Sequence, residues 1–368
     1  MPDDATGTAP IRSLRARAYR IPTDQPEADG TFAWNATTIV VAEVSALGIT
    51  GLGYTYTDSA AAEVINRLFA GLLAERDAFA IQACWARMAA SVRNSGRAGV
   101  CSSAISAVDV SLWDLKAKTL NVPLVRLLGA ARSAVPIYGS GGFTSYRDDQ
   151  LARQLAGWVE QEGCRAVKMK VGSEPERDLE RVRAARAAVD GADLYVDANG
   201  ALARKQALDF AERYRELGVS WFEEPVSSDD LPGLRLLRDR APAGMEIAAG
   251  EYGYDGFYFR RMLEAGAVDV LQADATRCGG YTGFLQAAAL ADAWGLPLSA
   301  HTAPALHLPV CCAAPRLRNI EWFHDHTRIE RALFDGAPVP HGGELRPDLG
   351  RAGHGLIFKA QDAERLAA

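Results

Sequence analysis

Seven ionisable side chains recur between residues 170 and 321, each at the end of a short apolar run and 20 to 28 residues from the next. Carboxylates can bind a hard cation, and lysine or histidine can move a proton, so this set contains the groups that metal-assisted proton transfer requires. The regular spacing predicts that successive structural units each present one such group. The seven residues are Lys170, Asp197, Glu223, Glu251, Asp274, His301 and Glu321.

The first of these groups belongs to a pair of lysines in the segment AVKMKVG (166–172). Side chains of a strand alternate between two faces, so Lys168 and Lys170 point the same way. The pattern K-x-K is also typical of a strand with one solvated face, and the pair alone leaves both interpretations open. If the pair lies in a site, a second ammonium group and a nearby divalent cation would both favour a neutral Lys170, which could then act as a base. Lys168 is predicted to tune Lys170 in this way and to contact a substrate oxygen.

Three carboxylates, Asp197, Glu223 and Glu251, end three successive apolar runs. Together they offer only oxygen ligands, which suits Mg²⁺, and zinc is not indicated because the trio lacks cysteine and histidine. Such an ion can bind a substrate carboxylate and stabilise the dianion that forms when the α-proton leaves. Asp274 can orient His301 for proton transfer on the other side of the site.

The elements that must position these groups are short Val- and Ile-rich strands that alternate with helices from residue 134 onward. Alternation of this kind predicts a parallel sheet, and eight repeats predict a closed (β/α)₈ barrel, whose strands all end at one mouth. An open doubly wound sheet is the alternative, but no Gly-rich loop follows the first strand. Polar strand ends could also simply meet loops, yet so many charges at one mouth are costly unless a metal or substrate compensates them. The predicted strands lie within residues 134–140, 165–171, 193–199, 219–224, 246–251, 268–274, 297–301 and 319–323.

The rest of the chain precedes and follows this barrel. Residues 13–57 alternate like antiparallel strands and residues 60–128 have helical periodicity, which predicts an α+β domain over residues 1–130 and a barrel over residues 131–325. A length of 368 residues suits a barrel of about 250 residues with a second domain.

Composition excludes several classes of partner. A net charge of −6 argues against nucleic acid, and no apolar run approaches the ~20 residues that span a bilayer. Residues 1–12 lack the hydrophobic core of a signal peptide, and the six cysteines show no metal-ligand spacing. We therefore expect a cytoplasmic protein with reduced cysteines and a small-molecule partner.

The ordered motifs resemble those of the enolase superfamily, in its mandelate racemase subgroup. The resemblance spans nearly the whole chain, and although each motif is short, their order and spacing together are specific. Residues 101–130 are similar to the helix that leads into the barrel in that family. The matching motifs are VKMK (167–170), DAN (197–199), EEP (223–225), GE (250–251), QAD (272–274) and SAH (299–301).

The resemblance implies a capping domain over the barrel mouth, formed by the N-terminal segment and by residues 326–368. Loops within residues 22–35 and 54–60 would close the site, with Trp34 and Tyr54 as substrate contacts unless they belong to the core of the cap.

Further site residues are implied on the barrel side. The resemblance makes Asn199 a substrate-facing residue and Glu321 a hydrogen-bonding partner of the substrate carboxylate, in a protonation state that the sequence leaves open. Strand alternation places Glu224 on the face opposite Glu223, where a structural role is expected. His324 and His326 follow the eighth strand and are either substrate contacts or structural residues.

The function that the resemblance implies is Mg²⁺-dependent abstraction of the proton α to a carboxylate, in most cases to dehydrate an aldonic or aldaric acid to a 2-keto-3-deoxy acid. A racemase or epimerase of a 2-hydroxy acid, with Lys170 and His301 on opposite faces of one carbon, is the first alternative. A non-catalytic barrel protein is the second. A homo-oligomer that binds an acid sugar is expected.

Overall fold

The computed structural model describes residues 8–368, and its N-terminal part is built on an antiparallel sheet of three strands. A two-residue turn at Leu47 and Gly48, both with positive φ, connects the second strand to the third, as is typical of a tight hairpin. The sheet has the order β1 (Ser13–Ala28), β2 (Ala33–Ala46) and β3 (Ile49–Tyr56).

Helices complete this N-terminal domain, and the longest of them packs against β3. Two glycines of β3 permit the close approach: a Cβ atom on Gly53 would lie 2.2 Å from the carbonyl oxygen of Ala107, and one on Gly51 would lie 2.1 Å from that of Ser111. The helices are α1 (Ala60–Val64), which continues through a π-helical turn (Ile65–Phe69) into α2 (Ala70–Leu73), then α3 (Ile81–Ser91), α4 (Val100–Thr119) and α5 (Leu124–Leu127).

Eight parallel strands form a closed barrel, since the last of them pairs with the first, for example through Glu321 and Tyr138. The predicted (β/α)₈ barrel is confirmed. Its strands are β4 (Val135–Gly141), β5 (Ala166–Lys170), β6 (Asp193–Asp197), β7 (Val219–Glu223), β8 (Glu246–Ala249), β9 (Val270–Ala273), β10 (Leu298–Ala300) and β11 (Leu317–Phe323). Its helices are α6 (Asp148–Glu160), α7 (Pro175–Ala188), α8 (Arg204–Glu216), α9 (Leu231–Arg240), α10 (Gly256–Glu264), α11 (Gly280–Trp294), α12 (Pro304–Ala313) and α13 (His324–Leu333).

The barrel register sets side chains of neighbouring strands at the same height. Lys170 pairs with Asp197, which pairs in turn with Glu223. Two residues earlier on the same strands, Tyr195 and Trp221 stack with ring centroids 5.0 Å apart and fill the interior below the mouth. Apart from Lys168, which is in register with Tyr195, this layer of the barrel is aromatic, and charged groups lie at the ends of the strands.

The C-terminal segment contacts both domains, as the predicted cap requires. It adds β13 (Glu344–Leu345) antiparallel to β4, and β12 (Phe334–Asp335) pairs with β14 (Ile357–Phe358). It then reaches the cap, where His354 Nε2 lies 2.7 Å from the carbonyl oxygen of Leu52 and Ala367 bridges to Tyr19. The chain ends in α14 (Ala360–Ala363) and a 3₁₀ turn (Glu364–Leu366). Residue 325, the expected end of the barrel domain, lies inside α13.

Within residues 8–368, no helix combines the length and apolar character that crossing a membrane demands. All six cysteines lie in this range, and each is a free thiol.

The contact between β3 and α4 predicts the effect of Gly53→Ala. The added methyl group meets helix backbone rather than a flexible side chain, so we expect a loss of about 1–3 kcal/mol. For a chain of 368 residues this lowers the melting temperature by roughly 1–2 °C for each kcal/mol, which differential scanning calorimetry would measure. The control is Gly71→Ala in α2, where a Cβ atom has no neighbour within 4 Å and the melting temperature should stay equal or rise. Equal melting temperatures for both variants would contradict the packing argument.

Candidate active site

Three buried carboxylates converge at the mouth of the barrel. One oxygen of each of Asp197, Glu223 and Glu251 lies within 4.8 Å of the others. Asp197 and Glu223 end β6 and β7, whereas Glu251 lies in the turn after β8. That turn needs Gly250, whose φ is +138° and whose Cβ atom would lie 2.1 Å from the carbonyl oxygen of Gln272. The glycine lets the turn bring Glu251 back to the other two.

The trio suits Mg²⁺ in its chemistry. Its donors are all carboxylate oxygens, the hard ligands that this ion prefers. Burial, and next the charge of Asp197, raise the pKa of Glu223 to about 8. The protein's own cations thus leave the negative charge of the trio incompletely compensated, and a divalent cation held by Asp197, Glu223 and Glu251 would compensate it.

The two lysines lie on the inner face of the barrel at different depths. Lys170 Nζ lies 2.5 Å from Asp197 Oδ2 at the mouth. Lys168 is fully buried one layer below, with Nζ 2.5 Å from Glu223 Oε1, 2.8 Å from Glu321 Oε1 and 5.4 Å from the centre of the Tyr138 ring. The face of the strand that carries K-x-K is therefore a packed ionic network and not a solvated surface.

The pKa of Lys170 differs from the expectation. Burial lowers it and so does Lys168, as predicted, but Asp197 and Glu251 raise it, and the result among the protein's own groups is a pKa above the ordinary value. The charge of the carboxylates outweighs that of the second ammonium group.

His301 and Asp274 form the expected pair. Both directly follow barrel strands, and His301 Nδ1 lies 2.8 Å from Asp274 Oδ2. The opposite ring nitrogen, Nε2, lies 3.2 Å from Glu251 Oε2. Burial lowers the pKa of His301, but Glu251 and then Asp274 outweigh it and raise the pKa to about 9. Asp274 thus fixes the ring with Nε2 directed towards the carboxylate trio.

Glu321 occupies the middle of β11 and is held from three sides. Its Oε1 accepts hydrogen bonds from Lys168 and Ser140, and its Oε2 accepts one from the backbone N–H of Thr302 at 3.0 Å. Burial would raise the pKa of this carboxyl group, but Lys168, His301 and Lys170 together more than offset it and lower the pKa to about 2. Among these partners Glu321 is a charged acceptor.

A cavity of about 430 Å³ lies over the barrel mouth between the two domains, a size typical of small-molecule sites. The barrel side contributes Lys170, Glu251, His301 and Glu321, together with Asn199, which was predicted to face the substrate. The cap contributes aromatic and polar side chains. The lining includes Lys170, Asn199, Glu251, His301, Glu321, Arg277, Tyr252, Phe323 and His326 from the barrel and Asp29, Phe32, Trp34, Thr37, Tyr56 and Asp58 from the cap.

Of the two predicted cap contacts, the structure brings Trp34 to the cavity and leaves Tyr54 out. Tyr54 is fully buried and its hydroxyl donates to Glu330 Oε1 of α13 at 2.6 Å, so it belongs to the core between the cap and the barrel. Tyr56 takes its place, because it is on the same face of β3 but ends the strand, nearer the barrel mouth. Its hydroxyl has no hydrogen-bond partner among residues 8–368.

Residues 22–35 form two paired strands and a short connection where a loop was predicted, since β1 continues to Ala28 and β2 begins at Ala33. The extended segment bulges where Pro22 and Glu27 face Ala36 and Trp34. The cavity wall on this side is thus a hairpin.

Two lining residues, Arg277 and Tyr252, have no counterpart among the predictions. Their only signal in the sequence is that each closely follows a barrel strand. Arg277 Nη1 lies 3.4 Å from Glu251 Oε1.

His326 lies in the cavity wall and is also held by contacts within the protein. Its ring stacks on Tyr56 with centroids 3.5 Å apart, and Nδ1 accepts the backbone N–H of Ala303. Burial lowers the pKa of His326 to about 3, so the ring is neutral and carries its proton on Nε2.

Glu224 departs from the strand alternation that was used to place it. Its φ is +36°, it is buried, and its Oε1 has no hydrogen-bond partner in the described part of the chain. Burial and next Glu251 hold its pKa well above the ordinary value. The backbone turns at Glu224, so its side chain lies near the carboxylate trio.

Comparisons with known proteins agree with this architecture. Residues 19–129 match the family described as "Mandelate racemase / muconate lactonizing enzyme, N-terminal domain", and residues 150–363 match "Enolase C-terminal domain-like". A 3,6-anhydro-α-L-galactonate cycloisomerase of Streptomyces coelicolor is 33% identical over 97% of this chain and 99% of its own length.

Two further proteins are similar in structure. A mandelate racemase/muconate lactonizing enzyme-like protein of Rubrobacter xylanophilus has a TM-score of 0.95 and 50% identity, over 98% of this chain and all of the other. The L-talarate/galactarate dehydratase of Salmonella typhimurium is 32% identical over 81% of this chain and 77% of its own. Its structure liganded with Mg and L-lyxarohydroxamate has a TM-score of 0.89 at 27% identity, over all of this chain and 95% of the other. Both domains and the full-length likeness therefore show that this chain belongs to the mandelate racemase and muconate lactonizing enzyme group of the enolase superfamily.

Proposed function

We propose that the protein is an Mg²⁺-dependent dehydratase of an aldonic or aldaric acid. It removes the proton α to the carboxylate and expels the β-hydroxyl as water, which leaves an enol that becomes a 2-keto-3-deoxy acid. The observation that carries the proposal is the arrangement of Lys170 and His301 on either side of the carboxylate trio in one cavity. The dehydratase name of the Salmonella relative supports the choice of reaction.

The two proton-transfer groups contact different members of the trio. Lys170 Nζ lies beside Asp197, and His301 Nε2 lies beside Glu251, so a substrate carboxylate at the trio would have its α-carbon between them. An Mg²⁺ ion held there supplies positive charge that binds the carboxylate and stabilises the negative charge left by the proton. One of the two groups takes the α-proton and the other gives a proton to the departing oxygen, while Asp274 keeps His301 in the orientation that this needs.

Cycloisomerisation is the second candidate, because the relative that covers nearly the whole chain is named for it. A 3,6-anhydro sugar acid carries its ring oxygen on C3, which is β to the carboxylate. The same loss of the α-proton would break that C–O bond, but the oxygen would stay attached through C6. Dehydration lowers the mass of the substrate by one water, whereas this reaction leaves the mass unchanged.

A library of acid sugars tests the proposal. Aldonic, aldaric and 3,6-anhydro acids would be incubated with the protein and Mg²⁺, and 2-keto acid formation and product mass would be recorded. Formation of the C2 epimer in place of a keto acid would favour the racemase alternative and contradict both eliminations.

The metal assignment predicts the behaviour of Glu223→Gln. Loss of one ligand charge should lower kcat by about 10²–10³-fold or more, because the variant loses charge stabilisation in the transition state. Circular dichroism should show an unchanged fold. The matched control is Glu63→Gln. Glu63 is exposed on the cap, so this variant should keep full activity. Full turnover by the native protein after exhaustive chelation would refute the metal role.

The division of labour predicts isotope exchange in D₂O. Lys170→Ala and His301→Asn should each stop product formation, but the variant that keeps the group facing the α-proton should still exchange that proton with solvent. Proton NMR would follow the exchange at C2. Appreciable turnover by both variants, without exchange in either, would show that the roles are wrong.

The positions of Tyr54 and Tyr56 on β3 predict different effects when each is replaced by phenylalanine. Tyr56→Phe removes a hydroxyl that has no hydrogen-bond partner among residues 8–368, from a side chain that lines the cavity. KM should therefore rise about 2- to 10-fold, the equivalent of a hydrogen bond worth ~0.5–1.5 kcal/mol. Tyr54→Phe takes a donor from the buried Glu330, so it should lower the melting temperature and leave KM unchanged. If instead Tyr54→Phe raised KM and Tyr56→Phe lowered the melting temperature, Tyr54 would be the residue at the substrate.

A further inference from the structure

A second cluster of metal-ligating side chains lies outside the active site, between the cap hairpin and the end of the barrel strand β11. One potential ligand atom of each of Asp24, Glu27 and His324 lies within 4.8 Å of the others. Asp24 and Glu27 belong to β1, and His324 is the first residue of α13. The three residues are not among those that line the active-site cavity.

The strand bulge explains how two acidic side chains of one strand reach the same point. The segment from Pro22 to Glu27 lies opposite the shorter segment from Ala36 to Trp34. Extra residues in a strand re-aim side chains that regular pairing would hold apart. In the bulged segment, Asp24 Oδ2 lies 3.0 Å from His324 Nε2 across the boundary between cap and barrel.

Glu27 provides an independent indication of a ligand. It is only 1% exposed, and its Oε2 accepts the indole N–H of Trp34 at 2.7 Å. Its Oε1 is buried and has no hydrogen-bond partner within residues 8–368. A buried carboxylate with an unpartnered oxygen is costly unless a cation or another donor reaches it.

The surrounding charges leave that cost uncompensated. Arg328 pairs with Asp325 and donates to the carbonyl oxygen of Pro22. In the described part of the chain, no lysine or arginine lies within 4.0 Å of Asp24 or Glu27, and the indole of Trp34 is neutral. The cluster thus combines excess negative charge with one imidazole.

We infer that Asp24, Glu27 and His324 form a second divalent-cation site, distinct from the carboxylate trio and selective for zinc-like ions. One imidazole and two carboxylates are ligands that Zn²⁺ uses, with a water molecule in the fourth position. The all-oxygen trio favours Mg²⁺ instead. Bonds of about 2.0–2.1 Å put two ligand atoms of one ion at most about 4 Å apart. The three ligand atoms already lie within 4.8 Å of one another, so a small closing movement within the cluster completes the site.

The site joins the cap hairpin to the barrel. Glu27 holds Trp34, which lines the active-site cavity, and the same hairpin carries Phe32 and Asp29. A cation between β1 and α13 fixes that wall of the cavity without contacting the substrate. This inference does not depend on the proposed reaction, because it concerns metal content and hairpin mobility.

Equilibrium dialysis tests the site in a background where the first metal site is disabled. The full-length variant Asp197→Asn/Glu251→Gln would be stripped with chelator and dialysed against Zn²⁺ in excess Mg²⁺, and bound zinc would be measured by mass spectrometry. One zinc per chain is expected. Adding His324→Ala or Asp24→Asn should weaken binding on the order of 100-fold, whereas His341→Ala, which removes an exposed histidine elsewhere, should not. Absence of bound zinc, or retention of it in His324→Ala, would overturn the inference.

Two further readouts use the protein with its active site intact. Co²⁺ in place of Zn²⁺ should give a visible absorption band that disappears in His324→Ala. Zinc should also slow hydrogen exchange in the peptide that spans residues 23–33, and His324→Ala should abolish that protection. A zinc effect of equal size in native and His324→Ala protein would place the ion elsewhere.

Discussion

Three carboxylates and two ammonium groups lie at the mouth of the barrel and one layer below it with almost no access to water, and the arrangement of the site follows from the need to compensate their charges. Lys168 is the clearest case: it is fully buried and its Nζ contacts both Glu223 and Glu321. Isolated, such a charge would cost several kcal/mol, and here each carboxylate stabilises it. Glu321 is kept ionised for the same reason, and the trio retains enough negative charge to attract a divalent cation.

Strand direction brings these groups together, and strained turns complete the set. The register aligns Lys170, Asp197 and Glu223 on adjacent strands. Directly after the strands the backbone leaves the extended region, with positive φ at Asn199, Glu224, Thr302 and Ala303. Each such residue costs of order 1–3 kcal/mol, which a well-packed barrel can bear. The turns let side chains reach the mouth that strand alternation would direct elsewhere.

These turns mark the limit of what the sequence predicts, because strand alternation does not describe them. Alternating strands and helices were sufficient for the barrel, and polar residues at strand ends were sufficient for the trio and for the His301–Asp274 pair. Glu224 could not be placed by alternation, because its φ is set by the tertiary structure. Tyr54 and Tyr56 share a face, and only the docking of the cap decides which one reaches the cavity. Pro309 and a largely apolar sequence hide the periodicity of α12, so the sequence alone does not delimit this helix.

The two sides of the cavity are built by different physical means, and this separates the chemistry from the selection of substrate. The barrel side is an ionic network in which each charge depends on its neighbours, so a change at one residue disturbs the pKa of the others. The cap side consists mainly of aromatic and hydroxyl groups, such as Trp34 and Tyr56, that are held by packing and by single hydrogen bonds, with Asp29 and Asp58 beside them. Substitutions there alter shape and hydrogen bonding while leaving the charges at the mouth intact. Because the hairpin that carries Trp34 is fastened to the barrel at Asp24 and His324, the position of this wall is set by contacts outside the cavity as well as by its own residues.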